Sequence, residues 1–404
     1  MADPIASLIA RRYAGRDLPV AVVLPSGERV ALSREPRLDL VARNMAGLRV
    51  LASPQLGNLA RAYVHNDLDF TGSARDILDV AQSLVGDVTH AGDALATRWR
   101  LWRNQRRPNR ANIAHHYDVS NAFYRLWLDS RMVYSCAYYR NDDDTLDEAQ
   151  AAKLDHVCRK LRLAPGERFL DIGCGWGALL FHAAAHYGVA AHGITLSRQQ
   201  YDYVQQEIAR RGLADRVRVD LVDYADLPAD ARYDKIASIG MFEHVGLARL
   251  GRYFGTIRRA LAPGGLVLNH GITHNFVGRH SLGSGVGDFV EDYVFPGGEL
   301  THVSKVIETL GAQGLEILDA EALRPHYVRT LWSWADRLEA QADAARAEVG
   351  EERFRVWRIY LAGAAHAFDR GWLSLFQVLA GKPRSDGRLS HPLTREYMYP
   401  QAAD

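Results

Sequence analysis

The 404-residue sequence is short of cysteine. It has three, Cys136, Cys158 and Cys174, and none forms a CxxC pair or a Cys/His ligand spacing. That excludes a disulfide frame and a structural zinc site, gives no metal-ligand set, and points to a reducing compartment. Long apolar runs are also missing. No stretch of 18 residues is apolar enough to span a bilayer, and the start "MADPIASLIARRYAG" lacks a secretory pattern, so a cytoplasmic protein is expected. Charge of one sign is not in excess. Lys plus Arg number 49 against 48 Asp plus Glu, a net +1, which removes bulk electrostatics as a route to nucleic acid. There is no internal repeat and no long low-complexity segment. What is present is enough apolar material, 48% of residues, to bury a real core, in a chain long enough for two domains.

Along the chain, "LPVAVVLPSGERVAL" reads as two short strands around a Pro-Ser-Gly turn, and Leu38 to Val88 reads as mainly helical. "RWRLWRNQRRPNR", residues 98–110, then carries six arginines, two tryptophans and no acid. It reads either as a solvated linker or as a cationic, aromatic surface for anionic phospholipid headgroups. From Thr145 the pattern becomes regular. "TLDE" is a capping box, with Thr145 at the N-cap and Glu148 at N3. The helix behind it carries Leu154, Val157, Cys158 and Leu161 on one stripe, which makes Cys158 inert core. Short apolar strands then alternate with helices: "RFLDIG", "VAAHGIT", "VRVDLVD", "YDKIASIG" and "GLVLNHG", with helices beginning near Gly177, Ser197 and Leu247. This alternation implies right-handed crossovers and a doubly wound, mostly parallel α/β sheet. "LEILDAEAL" and "LSLFQVLAG" supply two closing strands around a helical region, 327–370. The expected domains are 1–96, a smaller and mainly helical N-terminal domain associated with lipid; 97–111, the basic linker; and 112–404, the catalytic domain.

"FLDIGCGWGALL", residues 169–180, is a strand running into a glycine turn and a helix. Gly173, Gly175 and Gly177 give G-x-G-x-G, preceded by Asp171, a tighter turn than the dinucleotide G-x-G-x-x-G. A pyrophosphate would be repelled by Asp171, whereas a sulfonium amino acid with its ammonium group would not. With "DYADL" further on, the pattern points to S-adenosylmethionine (SAM). Ligands of such sheets lie outside the carboxyl ends of the strands. The second strand ends in "GITLSRQQ" without an acid for the ribose, leaving Thr195, the Leu196 backbone or Gln200 for that contact. Gln200 also closes a capping box with Ser197 and so has a structural reading. Asp223 and Tyr224 follow the third strand, placed to take the adenine amino group and cover the ring.

Seven stretches carry a resemblance: "HYDVSNAFYRLWLD", "MVYSCAYY", "LDIGCGWG", "GITLS", "IGMFEHVG", "NHGIT" and "YVFPGGELTHVSKV". Over residues 112–380 the chain resembles the cyclopropane-fatty-acyl-phospholipid synthase family, including the mycolic acid cyclopropane synthases. The resemblance implies the class I SAM-dependent methyltransferase fold, seven strands with the last antiparallel. It implies that Tyr117, Tyr134 and Ser135 close over the methionine half of SAM, and that Gly173, Trp176, Thr195, Leu196 and Gln200 contact the rest, alongside Asp171 and Gly175 of the turn. It also implies a bicarbonate ion in the site. Glu243 and His270 match its side-chain partners, Tyr327 its phenol contact, and Ile272 and Cys136 positions that hold it through backbone groups.

The implied reaction joins a poor nucleophile, an alkene, to the sulfonium methyl, then removes a proton from the new methyl group to close a cyclopropane. It needs a dry apolar slot, aromatic faces for a carbocation and a base in place. Phe242, Trp176 and Tyr293 are aromatics available to an acyl chain, each with an equal reading as core. A bicarbonate beside an ionised Glu243 would be repelled, which a shared proton or a cationic His270 would resolve. His244 reads as a structural hydrogen-bonder, and Cys136 as a wall of the base's pocket rather than a nucleophile. The expected activity is methylene transfer from SAM to unsaturated acyl chains of membrane phospholipid. The expected protein is peripheral on the inner, anionic membrane face, without nucleic acid, and a homodimer by resemblance. A methyl- or methylene-branched product and a small-molecule acceptor are the alternatives.

Overall fold

The computed structural model describes residues 4–14, 16, 18–85, 119–277, 285–294 and 299–400, and divides into two compact units. The first gathers the described residues within 1–101, 279–296 and 331–367. It holds helix α1 (Pro4–Arg12), strands β1 (Val20–Val23), β2 (Arg29–Ala31) and β3 (Leu38–Ala42), helices α2 (Met45–Ala52) and α3 (Leu56–Val64), strand β4 (Leu68–Phe70) and helix α4 (Ala74–Val85). The strands form one sheet in the order β2-β1-β3-β4, with β1 and β3 parallel. Two of them lie inside the stretch expected to be mainly helical. In β3, "LDLVA" alternates buried and half-buried residues, the period of a strand with one covered face.

The grouping cuts across the expected catalytic domain, because residues 279–296 and 331–367 join the N-terminal ones. Two arginines of the helix Glu351–Asp369 give the reason. Arg355, only 6% exposed, donates to the Tyr63 carbonyl at 3.0 Å and to Asp69 Oδ2 at 3.1 Å. Arg358 donates to the Tyr63 hydroxyl at 3.0 Å and the Gly72 carbonyl at 2.9 Å. A buried guanidinium is tolerable only when its fork is filled, and here α3 and the β4 region fill it. The basic linker 97–111 lies outside the described residues.

The second unit, the described residues within 102–278, 297–330 and 368–404, contains the seven-stranded sheet. Helix α5 (Leu146–Leu161) precedes strand β5 (Arg168–Ile172), helix α6 (Ala178–Tyr187), strand β6 (Ala190–Thr195), helix α7 (Arg198–Arg211) and strand β7 (Val217–Leu221). Then come β8 (Tyr233–Ile239), α8 (Leu250–Ala260), β9 (Leu261–His274), α9 (Val303–Ala312), β10 (Glu316–Ala322), helix α10 (Arg324–Ala340) and β11 (Leu373–Gly381). The sheet order is β10-β11-β9-β8-β5-β6-β7, with only β11 antiparallel to its neighbours. The chain steps outward from β5 to β7 and returns to build β8 on the other side, so the order reverses between β5 and β8. That reversal opens a crevice at the strands' carboxyl ends.

The capping box of α5 forms as its sequence requires. The Glu148 amide donates to Thr145 Oγ1 and the Thr145 amide to Glu148 Oε2. The stripe Leu154, Val157, Cys158 and Leu161 packs on one face of the sheet with Phe169, Ala237, Leu268 and Leu379. Leu170, Ile172, Val267 and Val378 face the other way, into the core under α8 and α9. Side chains alternate along a strand, so Asp171, His270 and Gln377 share the α5 face with Phe169, Leu268 and Leu379.

Candidate active site

Three consecutive alternate glycines make the turn after β5. Gly173, Gly175 and Gly177 have φ of 78°, 54° and 81°, a region in which a side chain is strained, and so the chain can turn sharply into α6. The turn is pinned to β6 by the amides of Gly173 and Cys174, which both donate to the Ile194 carbonyl. Beyond the turn lies a cavity at the switch point. Its walls include Tyr134, Ser135, Asp171, Gly173, Gly175, Trp176, Thr195, Leu196, Gln200 and Tyr224, all expected cofactor residues. They also include Lys153, Met241 and His244, which the motifs did not flag for the cofactor. Asp223 is not among the lining residues. Its carboxylate accepts from the Ala225 amide at 2.9 Å and caps the turn 224–226, leaving Val222 and Tyr224 on the wall. Tyr117 lies outside the described residues.

The second-strand loop is set by side chains. Thr195 donates its hydroxyl to Gln200 Oε1 at 2.8 Å and accepts from the Ser197 amide at 3.1 Å. This orients Gln200, 5% exposed, with its amide nitrogen left as a donor for the cavity. Trp176 is held by donation from Nε1 to Asn121 Oδ1 at 2.8 Å.

The segment 133–139, "VYSCAYY", has no regular secondary structure, yet much of it is buried. Buried backbone must find partners, and here several come from helices on either side. From α5, Gln150 donates to the Ser135 carbonyl at 2.8 Å, Lys153 Nζ donates to Ser135 Oγ at 2.9 Å, and the Ala149 carbonyl accepts from the Tyr138 amide. From the first turns of α10, Thr330 Oγ1 accepts from the Ala137 amide at 3.1 Å and His326 Nδ1 from the Tyr139 amide at 3.1 Å. Arg329 reaches the carbonyls of Asn141, Asp142 and Asp144. Tyr327 stands on the same turns, buried, with its ring edge-on to Phe368. Cys136 Sγ is enclosed by the carbonyls of Ala137 and Leu323, and burial pushes its thiol pKa far up, the opposite of a nucleophile's requirement.

Glu243 and Ile272 meet past the end of β8, at the strand β9 that also carries His270. The Ile272 amide donates to Glu243 Oε1 at 2.7 Å, and the Gly240 amide donates to the His270 carbonyl at 2.9 Å. Gly271 is glycine for want of room. A Cβ there would run into the ring of Phe242 and come within 2.9 Å of Glu243 Oε1. Phe242 is thereby core packing over the strand. Burial pushes the Glu243 carboxyl up to about 7, the Ile272 amide opposing only part of that effect. Burial holds His270 well below its usual range, with Lys153 and Lys160 adding to it, so the imidazole is neutral. Gln377, its partner across β9 and β11, donates from Nε2 to His270 Nδ1 at 3.2 Å. The imidazole proton then sits on Nε2. A cationic His270 is therefore disfavoured, and a proton on Glu243 is the form the site favours.

Among the described residues, Glu243 Oε2, His270 Nε2 and Gln377 Oε1 are buried here without a hydrogen-bond partner. Buried polar atoms are nearly always paired, so Glu243 Oε2 and His270 Nε2 each mark a place for a small polar group. Their chemistry fits an oxyanion: a neutral N–H donor and a carboxyl that carries a proton near neutrality.

A doubly wound seven-stranded sheet with this glycine turn and cavity defines a class I SAM-dependent methyltransferase. The family model described as mycolic acid cyclopropane synthetase matches residues 104–378. The chain is 44% identical over 382 residues to a probable fatty acid methyltransferase of Pseudomonas putida, covering 95% of this chain and 96% of that one. It is 38% identical over 284 residues to cyclopropane mycolic acid synthase 1 of Mycobacterium tuberculosis, covering 68% and 98%. The solved structure of mycolic acid cyclopropane synthase CmaA1, complexed with SAH and CTAB, matches with a TM-score of 0.65 at 37% identity, covering 69% of this chain and 100% of that one. The chain belongs to the mycolic acid cyclopropane synthetase family and is a SAM-dependent enzyme of that family.

Proposed function

We propose that the protein transfers a methylene group from SAM to the cis double bond of unsaturated acyl chains in membrane phospholipid, forming a cyclopropane. The observation that carries this reading is that Glu243 Oε2 and His270 Nε2 are both buried without a partner among the described residues, Glu243 standing between Met241 and His244 of the cavity wall. SAM supplies an electrophilic methyl group, and bicarbonate, the group the orphans fit, supplies an exchangeable base. His270 donates from Nε2 in the tautomer fixed by Gln377, and Glu243 offers Oε2, protonated for about half the molecules near pH 7. Ile272 anchors Glu243 through its amide, and Cys136 and Tyr327, on segments joined to each other through Thr330 and Leu323, are the remaining contacts of this proposal. A fully ionised protein carboxylate would be a poor neighbour for a carbocation, because it captures it as an ester. The neutral form favoured by burial avoids this.

The test is direct. Purified protein, SAM and vesicles of unsaturated phospholipid should give an acyl product heavier by one CH₂, identified by gas chromatography with mass spectrometry. Absence of product with every unsaturated lipid overturns the reading. Two relatives named as probable fatty acid methyltransferases, matched over 95% and 87% of this chain, support a second ending of the same first step, a methyl- or methylene-branched chain. Fragmentation of the product separates ring from branch.

Access to the lipid is proposed to come from the cytoplasmic side, at an anionic membrane surface, through the Arg/Trp stretch 98–110. No described helix is long and apolar enough to cross a membrane. Replacing Arg98, Arg100, Arg103, Arg106 and Arg107 should weaken sedimentation with anionic vesicles, most at low salt, and unchanged sedimentation returns the stretch to a linker.

A further inference from the structure

The cofactor cavity contains a group that neither the glycine turn nor the base cluster explains. Lys153 projects from α5 into the wall with only 2% of its surface exposed. Its ammonium has three N–H groups, and among the described residues one is used, at 2.9 Å to Ser135 Oγ. The other two meet no acceptor among the described residues. An ammonium this deep is costly unless answered, and burial holds its pKa down to about 8.

Its surroundings narrow what answers it. Asp129, the carboxylate that most favours its charged form, already accepts from the amides of Val133 and Arg131. Asp171, 3% exposed and on the same cavity wall, has no hydrogen bond to its carboxylate and no ion pair with Lys153 among the described residues. The cavity thus presents one separated positive and one separated negative group, both buried and both with open valences. His244, also on the wall, is held neutral by burial, which takes its pKa down to about 4. A ligand that fills both valences is a zwitterion whose ammonium and carboxylate are carried on one carbon.

We propose that Lys153 binds the α-carboxylate of the cofactor's methionine moiety, opposite Asp171, which takes the α-ammonium. This rests on the cavity being the SAM site. Ser135 then has two tasks. It lines the cavity, and it steers Lys153 by accepting one of its protons, which leaves two donors for the two carboxylate oxygens. The helix buries four polar residues, Gln150, Lys153, His156 and Lys160, and this contact accounts for Lys153.

The experiment uses the full-length protein, S-adenosylhomocysteine and its decarboxylated analogue, in which the amine is kept and the carboxylate is gone. Binding is read by isothermal titration calorimetry. Lys153→Gln, long enough to keep the Ser135 hydrogen bond, should weaken S-adenosylhomocysteine by tens of fold and leave the decarboxylated analogue within about threefold. Equal loss for both ligands assigns Lys153 a purely structural task and overturns the proposal, as does unchanged binding. Should the variant fail to fold, the wild type alone suffices. The ratio of the two affinities should fall between pH 6.5 and 9 as Lys153 deprotonates. Titration of Asp171, about 7, acts on the amine common to both ligands and cancels. Cys136 and Cys158, also near Lys153, are pushed by burial well above this range. A flat ratio overturns the proposal. If the wild type binds neither ligand, the cofactor reading falls, an outcome distinct from every effect of the variant.

Discussion

Asp171 and Glu243 stand at the carboxyl ends of neighbouring strands, β5 and just past β8, and burial pushes both up to about 7. Their surroundings differ. Among the described residues Asp171 has the Lys153 ammonium in its field and no hydrogen bond, so what meets its charge is another charge. Glu243 has a backbone amide on one oxygen, an orphaned second oxygen and no cation, so what meets it is a proton. On the proposed reading, equal titration covers two chemistries: one end of the site answers a zwitterion, the other an oxyanion through neutral donors. The difference comes from which face each residue occupies and what packs there.

The largest effect that would break this comparison is on turnover. Glu243→Ala should lower product formation by about a thousandfold while S-adenosylhomocysteine affinity stays within about twofold. Parallel loss of both would merge the two regions into one. Asp171→Asn should do the converse, weakening S-adenosylhomocysteine by roughly thirtyfold in calorimetry, the cost of losing one charge-assisted contact. Gly271→Ala tests the packing on which Glu243 rests. A Cβ against Phe242 and Glu243 should cost about 1–3 kcal/mol of stability by denaturant unfolding, and an unchanged midpoint would mean that the strand yields freely.

Stability against pH sharpens the comparison further. The folded Glu243 keeps its proton up to about 7, against an ordinary 4.5, so between those values the folded state binds more protons than the unfolded one. Its contribution is fully present below 4.5 and is lost as pH rises through 7. Glu243→Gln should therefore melt close to wild type at pH 4.5 and several degrees above it at pH 8, by differential scanning calorimetry. No divergence would mean that the folded state stabilises the ionised Glu243 carboxylate after all. The smallest effect is expected at Cys136→Ser, which should retain activity within about tenfold, since the thiol is enclosed and protonated. Near-total loss would return Cys136 to the list of nucleophiles.

Much of the cofactor half was legible in the sequence because its demands are local. Positive φ at Gly173, Gly175 and Gly177 can be read from glycine spacing, and the strand before and helix after follow from apolar runs. Glu243 and His270 were legible as motif residues, but their coupling was not. The hydrogen bond from Ile272, the reason for Gly271 and the donation from Gln377 all arise across strands far apart in sequence. Lys153 was invisible for a different reason. A lysine one residue before Leu154 on a helical stripe reads as a solvated flank, and only the packing of α5 over the strand ends buries it. In the first unit, β3 and β4 are three to five residues each, too short for periodicity to overrule the surrounding helical signal.

The antiparallel strand β11 has a consequence for how the protein is made. It is the last of the seven strands in sequence, yet it lies between β9 and β10 and carries Gln377 to His270. On the ribosome, β5 to β9 and β10 emerge well before it, and β10 has no neighbour in the sheet until β11 arrives. During that interval β9 exposes an unpaired edge at His270. A nascent chain halted before Leu373 would thus display a complete cofactor turn with an unset histidine, and ribosome-bound intermediates of this enzyme should bind cofactor before they can turn it over.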